Sequence, residues 1–145
     1  MKSFSVSIRI SARPEEIWAI LTDAADYPSW NPTVEKVEGR IAPGQRVTVH
    51  AKISPGRAFP LSVTEFVPAK RMVWTGGLPF GLFTGERTFE LTPSEGGVEF
   101  SMREAFRGLL SPLITRSIPD LQPSFEAFAA ALKMRAEGLA SSKGR

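Results

Sequence analysis

The residues with the most distinctive chemistry lie in a predicted β-hairpin between positions 84 and 107. With the turn centred on Glu95 and Gly96, antiparallel pairing sets Arg87 opposite Glu104, and alternation puts both on the apolar face. Burying two charges costs on the order of several kcal/mol each before their attraction is counted. The pattern therefore predicts either a wet cavity or a polar ligand group held beside the pair.

A catalytic or binding role follows from the chemistry of these two side chains. Arg87 would bind a carboxylate, phenolate or carbonyl oxygen, and Glu104 would orient that group or act as a general base. Two structural interpretations stay open beside the functional one. The pair could be an ion pair at the exposed end of the sheet, or a shifted register could turn one partner outward.

A second candidate feature is an apolar loop between Thr75 and Gly85, which contains four glycines and a proline. Loops are usually surface segments of small polar residues, yet this one carries Leu78, Phe80 and Phe83. It is expected to form either a lid over an apolar ligand or a segment that packs into the core or against a second subunit.

Other common catalytic patterns are missing from the sequence. The chain has one histidine, His50, which is expected on the outer face with no second histidine to share a metal, and it has no cysteine. No Gly-x-Ser-x-Gly elbow, Gly-x-Gly-x-x-Gly fingerprint or phosphate loop occurs. We therefore expect no cofactor and no metal.

Composition sets limits on the function. The 145 residues carry a net charge of +3 spread along the chain, so the basic stripe typical of nucleic-acid binding is missing. No apolar run approaches the roughly 18 residues of a membrane span, and no signal peptide is recognisable. We expect a cytoplasmic protein that binds no nucleic acid.

Alternation and helical spacing predict the elements that position these residues. A strand with Phe4, Val6, Ile8 and Ile10 on one face precedes a helix from about 14 to 24. The segment 27–32 interrupts the helix, because prolines bias Tyr27 and Asn31 towards extended geometry. Six more strands are predicted near 33–40, 45–53, 59–67, 70–76, 84–92 and 97–107.

The last third of the chain changes period. Leu121, Phe125, Phe128 and Leu132 predict a long helix that starts near 119–124, after a separate turn or short helix at 109–118. The elements predict an α+β fold with a curved, seven-stranded, mostly antiparallel sheet, two short helices after the first strand, and a long C-terminal helix across the sheet. Residues 1–140 form one domain, and 141–145 are expected to be a disordered polar tail.

The order of these elements and several motifs resemble the START-like, or SRPBCC, superfamily with its helix-grip fold. The resemblance rests on Ser11–Thr22, Tyr27–Val34, Thr64–Trp74 and Phe89–Gly97, and it is closest to the polyketide cyclase/dehydrase-like branch. It implies a hydrophobic cavity between the sheet and the C-terminal helix, with the 76–83 loop at one end near Leu113 and Ile114. The ligand-binding candidates are Trp18, Tyr27, Trp30, Leu78, Phe80, Phe83, Phe89, Met102, Leu113, Ile114, Leu121, Phe125 and Phe128.

Three functions are compatible with this resemblance. The first is binding of a hydrophobic lipid, polyketide or aromatic compound. The second is a cyclase or dehydratase that uses the same cavity, with Arg87 and Glu104 as its catalytic residues. The third is a protein-interaction domain similar to chaperone-activator relatives, in which the apolar loop contacts a partner protein. An exposed apolar loop also makes a homodimer conceivable.

Overall fold

The computed structural model describes residues 3–143, and the side chains as far as residue 139. Its strands are β1 Ser3–Ile10, β2 Val34–Gly39, β3 Arg46–Ala51, β4 Phe59–Val67, β5 Arg71–Leu78, β6 Phe83–Ser94 and β7 Gly97–Arg107. Its helices are α1 Pro14–Leu21, α2 Tyr27–Trp30, α3 Ser111–Ile114 and α4 Gln122–Lys143, with 3-10 turns at Ala24–Asp26 and Thr115–Ser117. All seven predicted strands are confirmed at nearly their predicted bounds.

The strands form one antiparallel sheet in the order β1-β7-β6-β5-β4-β3-β2. From β2 to β7 each strand pairs with its neighbour in sequence, and β1 closes the other side against β7. The sheet is curved and α4 lies across its concave face, so the predicted α+β helix-grip architecture is confirmed.

Aromatic packing between α4 and the concave face holds the two layers together. The ring of Phe128 lies 6.1 Å from Phe89 and 6.2 Å from Phe100, measured between centroids, and it also meets Tyr27 and Trp30 of α2 at 6.3 and 5.5 Å. Such contacts contribute about 0.5–1.5 kcal/mol each beyond the burial of apolar area. Phe128 therefore joins the sheet, α2 and α4.

Side chains of α4 also cover the free edge of β1. The Gln122 amide donates to the Ser5 carbonyl, and the Lys133 ammonium donates to the Arg9 carbonyl. The Ser11 N–H donates to the Glu137 carboxylate. Each of these three hydrogen bonds is 2.8 Å long. Nearby, Arg135 pairs with Asp26 at 3.0 Å. An open strand edge invites pairing with other chains, and these contacts occupy it.

Three local predictions need correction. The first helix ends at Leu21, before the predicted end at 24. Tyr27 is helical (φ −50°, ψ −45°) and not extended, because Pro28 sits in the first turn of α2, where its missing donor costs nothing, and the buried Tyr27 ring packs on Phe128. Asn31 is extended, as predicted.

The third correction concerns the C-terminus. α4 continues to Lys143, so the first three residues of the tail predicted to be disordered at 141–145 are helical, and 144–145 lie outside the described residues. None of the helices in the described part of the chain has the length and apolar composition needed to cross a membrane.

We predict that Phe128→Ala lowers the free energy of unfolding by about 3–5 kcal/mol, because it leaves a cavity among four aromatic rings. Urea unfolding followed by tryptophan fluorescence measures the change. Met134→Ala is the matched control, since Met134 lies on the same helix with 77% of its surface exposed. It should change the free energy by less than about 0.5 kcal/mol. Equal costs for the two variants would contradict the proposed role of Phe128.

We predict a pH-dependent contribution from Glu137. Hydrogen bonds from Lys133 and from the Ser11 N–H hold the pKa of Glu137 below its ordinary value of 4.5. A pKa that is lower in the folded state stabilises the fold above the unfolded-state value, and the contribution disappears as pH falls through the folded-state value. Glu137→Gln should therefore cost up to about 1 kcal/mol near neutral pH, since the group is only partly buried.

The difference between Glu137→Gln and the original chain should shrink as pH falls through the lowered pKa of Glu137, because the carboxyl then becomes protonated in the folded state as well as in the unfolded state. Glu126→Gln, at an exposed position of the same helix, serves as the control. A stability difference that does not change with pH would show that the Glu137 charge makes no contribution.

Candidate functional site

The predicted ion pair lies in a row of side chains that crosses the concave face. Backbone pairing aligns Val63, Trp74, Arg87, Glu104 and Phe4 across five strands. The register predicted from the hairpin turn, with Arg87 opposite Glu104, is therefore confirmed. The alternative of a shifted register is wrong, and both charges point to the side that α4 covers.

The geometry of the pair is bidentate. Arg87 Nε donates to Glu104 Oε1 at 3.2 Å, and Nη2 donates to Oε2 at 3.3 Å. Two parallel hydrogen bonds of this kind fix the orientation of both groups. A guanidinium has five N–H bonds, so this contact leaves Arg87 further donors for a third group.

Apolar groups surround the pair, yet water reaches it. The guanidinium lies over the ring of Phe125 at 4.9 Å, and Phe125 also contacts Phe4. The side chains of Arg87 and Glu104 are 22% and 16% exposed, whereas Trp74 beside them is 2% exposed. The pair therefore forms a polar, partly hydrated position within an apolar face, and not an ion pair at a fully exposed end of the sheet.

Trp74 adds a donor that the sequence analysis did not select. Its indole Nε1 is buried and has no hydrogen-bond partner among the described residues, and the same holds for Nε1 of Trp30. Buried polar groups are nearly always hydrogen-bonded, and an acceptor atom on a ligand would satisfy this unpaired donor. The missed signal was the β5–β6 register, which places Trp74 next to Arg87.

Tyr27 lies close enough to Arg87 for the positive charge to affect the pKa of its phenol, but its contacts are those of a buried packing residue. Burial raises the pKa of its phenol far above the ordinary value of 10.0, and the positive charge of Arg87 opposes that rise only in part. The hydroxyl donates to the Leu21 carbonyl at 2.6 Å. A phenol that stays protonated and is already bonded to backbone does not serve as a general base at neutral pH.

The remaining ligand-binding candidates fall into three groups. The buried ones form the packed interior: Trp18, Tyr27, Phe89, Met102, Phe125 and Phe128. The partly buried ones are Trp30, Phe83, Ile114 and Leu121, and the exposed ones are Leu78, Phe80 and Leu113. Trp18 packs on Phe66 at 5.3 Å, one row beyond the ion pair. The structure thus brings Phe125 close to the row that contains Trp74, Arg87 and Glu104, here called the polar row, and it places Leu78, Phe80 and Leu113 at the surface.

Two glycines separate the polar row from the β5–β6 loop. Gly76 and Gly85 face each other in the next row, and a Cβ on Gly76 would lie 2.6 Å from Leu61 Cδ2. A Cβ on Gly85 would meet the Phe106 ring at 3.2 Å, so Leu61 and Phe106 fill the space that the glycines leave. The Pro60 carbonyl oxygen would also lie 2.9 Å from a Cβ on Gly76, so strand backbone as well as these two side chains bounds this end of the concave face.

The β5–β6 loop lies next to the segment that precedes α4, as predicted. Leu109 N–H donates to the Gly81 carbonyl at 3.1 Å, and Leu110 N–H donates to the Leu82 carbonyl at 2.7 Å. Phe80 is 93% exposed, so the alternative in which the loop packs into its own core is wrong for this residue. Gly108 allows the two segments to approach closely, since a Cβ at this position would lie 2.6 Å from the Leu82 carbonyl oxygen.

The pockets of the described structure include two open ones. One of about 410 Å³ lies at the base of the β5–β6 hairpin, lined by Arg46, Pro60, Leu61, Ser62, Thr75, Gly76, Gly77, Leu78, Pro79, Phe83 and Thr84. The other, of about 480 Å³, lies near Ser11 and Gly97. The first is lined by Gly76, which precedes the loop and lies two residues after Trp74 in β5.

His50 is not freely exposed on the outer surface. Its side chain is partly buried, and Nε2 lies 2.6 Å from Glu38 Oε1, a hydrogen bond that holds the pKa of Glu38 below its ordinary value. No cluster of three histidine, aspartate or glutamate side chains suited to a metal occurs within residues that the structure describes.

Comparison with known proteins identifies the family. Residues 1–137 match the model of the family described as polyketide cyclase / dehydrase and lipid transport. No curated protein matches the sequence.

Solved structures share the fold at low sequence identity. Protein MLL2253 from Mesorhizobium loti is 24% identical with a TM-score of 0.72, covering 92% of this chain and 95% of its own. A START superfamily protein from Mycobacterium smegmatis is 18% identical with a TM-score of 0.67, covering 94% and 98%.

The di-domain ARO/CYC StfQ from the steffimycin biosynthetic pathway is 14% identical with a TM-score of 0.67. That similarity covers 98% of this chain and 51% of StfQ, so the chain spans about half of that protein. The fold, the order of the elements and the family match over residues 1–137 lead to one conclusion: the chain belongs to the polyketide cyclase / dehydrase and lipid transport family, which has the START-like fold.

Proposed function

We propose that the protein binds a hydrophobic small molecule between the concave face and α4, with an oxygen of the ligand held by Arg87. The observation that carries this proposal is the bidentate Arg87–Glu104 pair, which is partly exposed although apolar side chains surround it. A pair kept only for stability has little advantage here, since well-packed apolar residues of similar volume are often as good or better. A ligand that binds to Arg87 would explain why a charged pair occupies this apolar face.

The donors define the chemistry of the ligand. Arg87 has N–H bonds beyond those given to Glu104, and the neighbouring Trp74 indole N–H has no partner in the described structure. Both groups donate, so they complement a carboxylate, phenolate or carbonyl oxygen. Phe125 and the other rings nearby supply apolar contact for the rest of the molecule.

The route of entry follows from the parts of the site that are least buried. Trp30, Ile114 and Leu121 are partly exposed, and the segment between β7 and α4 contains only the one-turn α3 and a 3-10 turn. Short elements with few long-range hydrogen bonds open more easily than the centre of a sheet. A ligand would enter at this end and displace the side chains that fill it in the structure.

Catalysis is the second candidate function, and the carboxylate of Glu104 supports it because it could act as a general base. A carboxylate next to a guanidinium in an apolar face can remove a proton next to a ketone while Arg87 stabilises the developing oxyanion. The family description names cyclases and dehydrases, and StfQ is an ARO/CYC protein. Binding is common to both candidates, so it is tested first.

We predict that replacing the pair by apolar residues keeps the fold and removes binding. Arg87→Met with Glu104→Leu should leave the free energy of unfolding equal or higher, because it removes two partly desolvated charges together. The affinity for a fluorescent fatty acid should fall at least about tenfold. The matched control is Arg71→Met with Glu90→Leu, an ion pair at 3.2 Å on the opposite face of the sheet. Unchanged affinity in the Arg87/Glu104 variant would refute the proposed role of the pair.

We predict that the single variant Glu104→Gln separates a carrier from an enzyme. Native mass spectrometry of the protein from its own host, followed by denaturing extraction, identifies the bound compound. When that compound is incubated with the protein, turnover that Glu104→Gln abolishes with little change in affinity supports catalysis, because the amide keeps the shape and removes the base. Recovery of the compound unchanged from the original protein supports a carrier.

A further inference from the structure

The charges of the polar row balance each other before any ligand is bound. The Arg87 guanidinium and the Glu104 carboxylate are joined by two hydrogen bonds, of 3.2 and 3.3 Å. Their side chains are 22% and 16% exposed, so water screens each charge only in part. A ligand that carries a charge of its own would therefore add one that the pair does not compensate.

The rows of the concave face on either side of the polar row contain no charged side chain. Positions two residues apart on a strand share a face, so the members of these rows follow from the pairing of the strands. Neither row can supply a second cation to an anionic ligand. The two rows consist of Met72, Phe89, Met102 and Val6 on one side and of Gly76, Gly85 and Phe106 on the other.

Helix α4 and the segment before it also leave the polar row without a second cation in the part of the chain that the structure describes. α4 places the ring of Phe125 over the guanidinium at 4.9 Å. Its basic residues Lys133 and Arg135 lie eight and ten positions further along, about 12 and 15 Å away along the helix axis. They bond to the edge of β1 and to Asp26, and Arg116 before the helix is exposed.

The segment before α2 contributes a negative charge. The phenol of Tyr27 is affected by both Arg87 and Asp23, and the negative charge of Asp23 contributes to the raised pKa of the phenol. An anionic ligand would gain no attraction from Asp23. Arg87 is thus the cation of this site, and Glu104 already neutralises it.

The polar groups that remain for a ligand are hydrogen-bond donors. Arg87 keeps N–H bonds that Glu104 does not use, and the buried Trp74 Nε1 has no partner among the described residues. Trp74 and Arg87 are directly opposite each other on β5 and β6, so their Cβ atoms are about 4.5–5.5 Å apart. A carbonyl oxygen has two lone pairs and can accept from both donors without adding a charge.

We propose, on the basis of the ligand site proposed above, that the group held at Arg87 is an uncharged carbonyl, as in a ketone or an ester, and that Glu104 makes the site reject carboxylates. A carboxylate would give the polar row a net charge of −1 among apolar side chains, which is unfavourable. Glu104 is then the residue that determines which ligand charge is accepted.

Two aromatic probes of nearly equal size test this selection. They are 2-acetylnaphthalene, a methyl ketone, and 2-naphthoate, whose carboxyl group is ionised at neutral pH. Displacement of the uncharged dye Nile red at pH 7 measures both affinities. We expect the original protein to bind the ketone at least about tenfold more tightly than the carboxylate.

Glu104→Gln keeps the shape of the side chain and removes its negative charge. The ratio of the two affinities should then shift at least about tenfold towards naphthoate, because Arg87 is no longer neutralised. Glu90→Gln is the matched control, since Glu90 pairs with Arg71 on the opposite face of the sheet. It should leave the ratio unchanged.

A second measurement uses the original protein alone, so it does not depend on the folding of a variant. Titration calorimetry in buffers of different ionisation enthalpy counts the protons that accompany binding. Naphthoate should bind at pH 7 only with uptake of about one proton from the buffer, held by the probe or by Glu104, because the site accepts no net negative charge. A fatty acid should bind in the same way, whereas the ketone should take up no proton.

Two results would overturn the selection by charge and leave the ligand site in place. The original protein could bind naphthoate as tightly as the ketone without proton uptake, or Glu104→Gln could leave the affinity ratio unchanged. Failure of the ligand site itself gives a different result. Arg87→Met with Glu104→Leu would then bind both probes as tightly as the original protein, which would overturn the site and the selection together.

Discussion

The packing of one helix against the concave face of one sheet determines the rest of this structure. Phe128 of α4 meets rings from β6, from β7 and from α2, so a single side chain links three parts of the chain that are distant in sequence. The side chains of α4 reach past the sheet to the edge of β1 as well. The position of this helix sets how much space the concave face can offer.

The two charged side chains in the polar row oppose the apolar packing between α4 and the sheet. Arg87 and Glu104 occupy positions where apolar residues would strengthen the contact with α4, and the Trp74 indole N–H gains no bond in return. Three features reduce the free-energy cost of burying these charges. The charges pair with each other, Phe125 lies over the guanidinium, and both groups stay partly hydrated. The proposed ligand site would explain this local conflict with the general apolar pattern.

Different physical signals explain why some features could be predicted from the sequence and others could not. The β6–β7 register was predictable because the Glu95-Gly96 turn has one reasonable centre, and that register brought Arg87 to Glu104. The β5–β6 loop contains several glycines, so its centre was ambiguous and Trp74 was missed. Tyr27 was predicted as extended because local sequence rules cannot include its contact with Phe128. Which of the ligand-binding candidates pack into the interior likewise depends on distances between side chains, and no sequence pattern specifies these distances.

The anchoring of α4 is uneven along its length. In its C-terminal half, Lys133 bonds to β1, Arg135 bonds to the 3-10 turn before α2, and Glu137 accepts from the residue after β1. Near the start of the helix, Gln122 makes a bond to β1. Polar bonds from the helix therefore concentrate in its C-terminal half, whereas its first turns are held by one such bond and by the packing of Phe125 and Phe128. A ligand that enters beside Phe125 would mainly exchange apolar contacts with the helix for apolar contacts of its own.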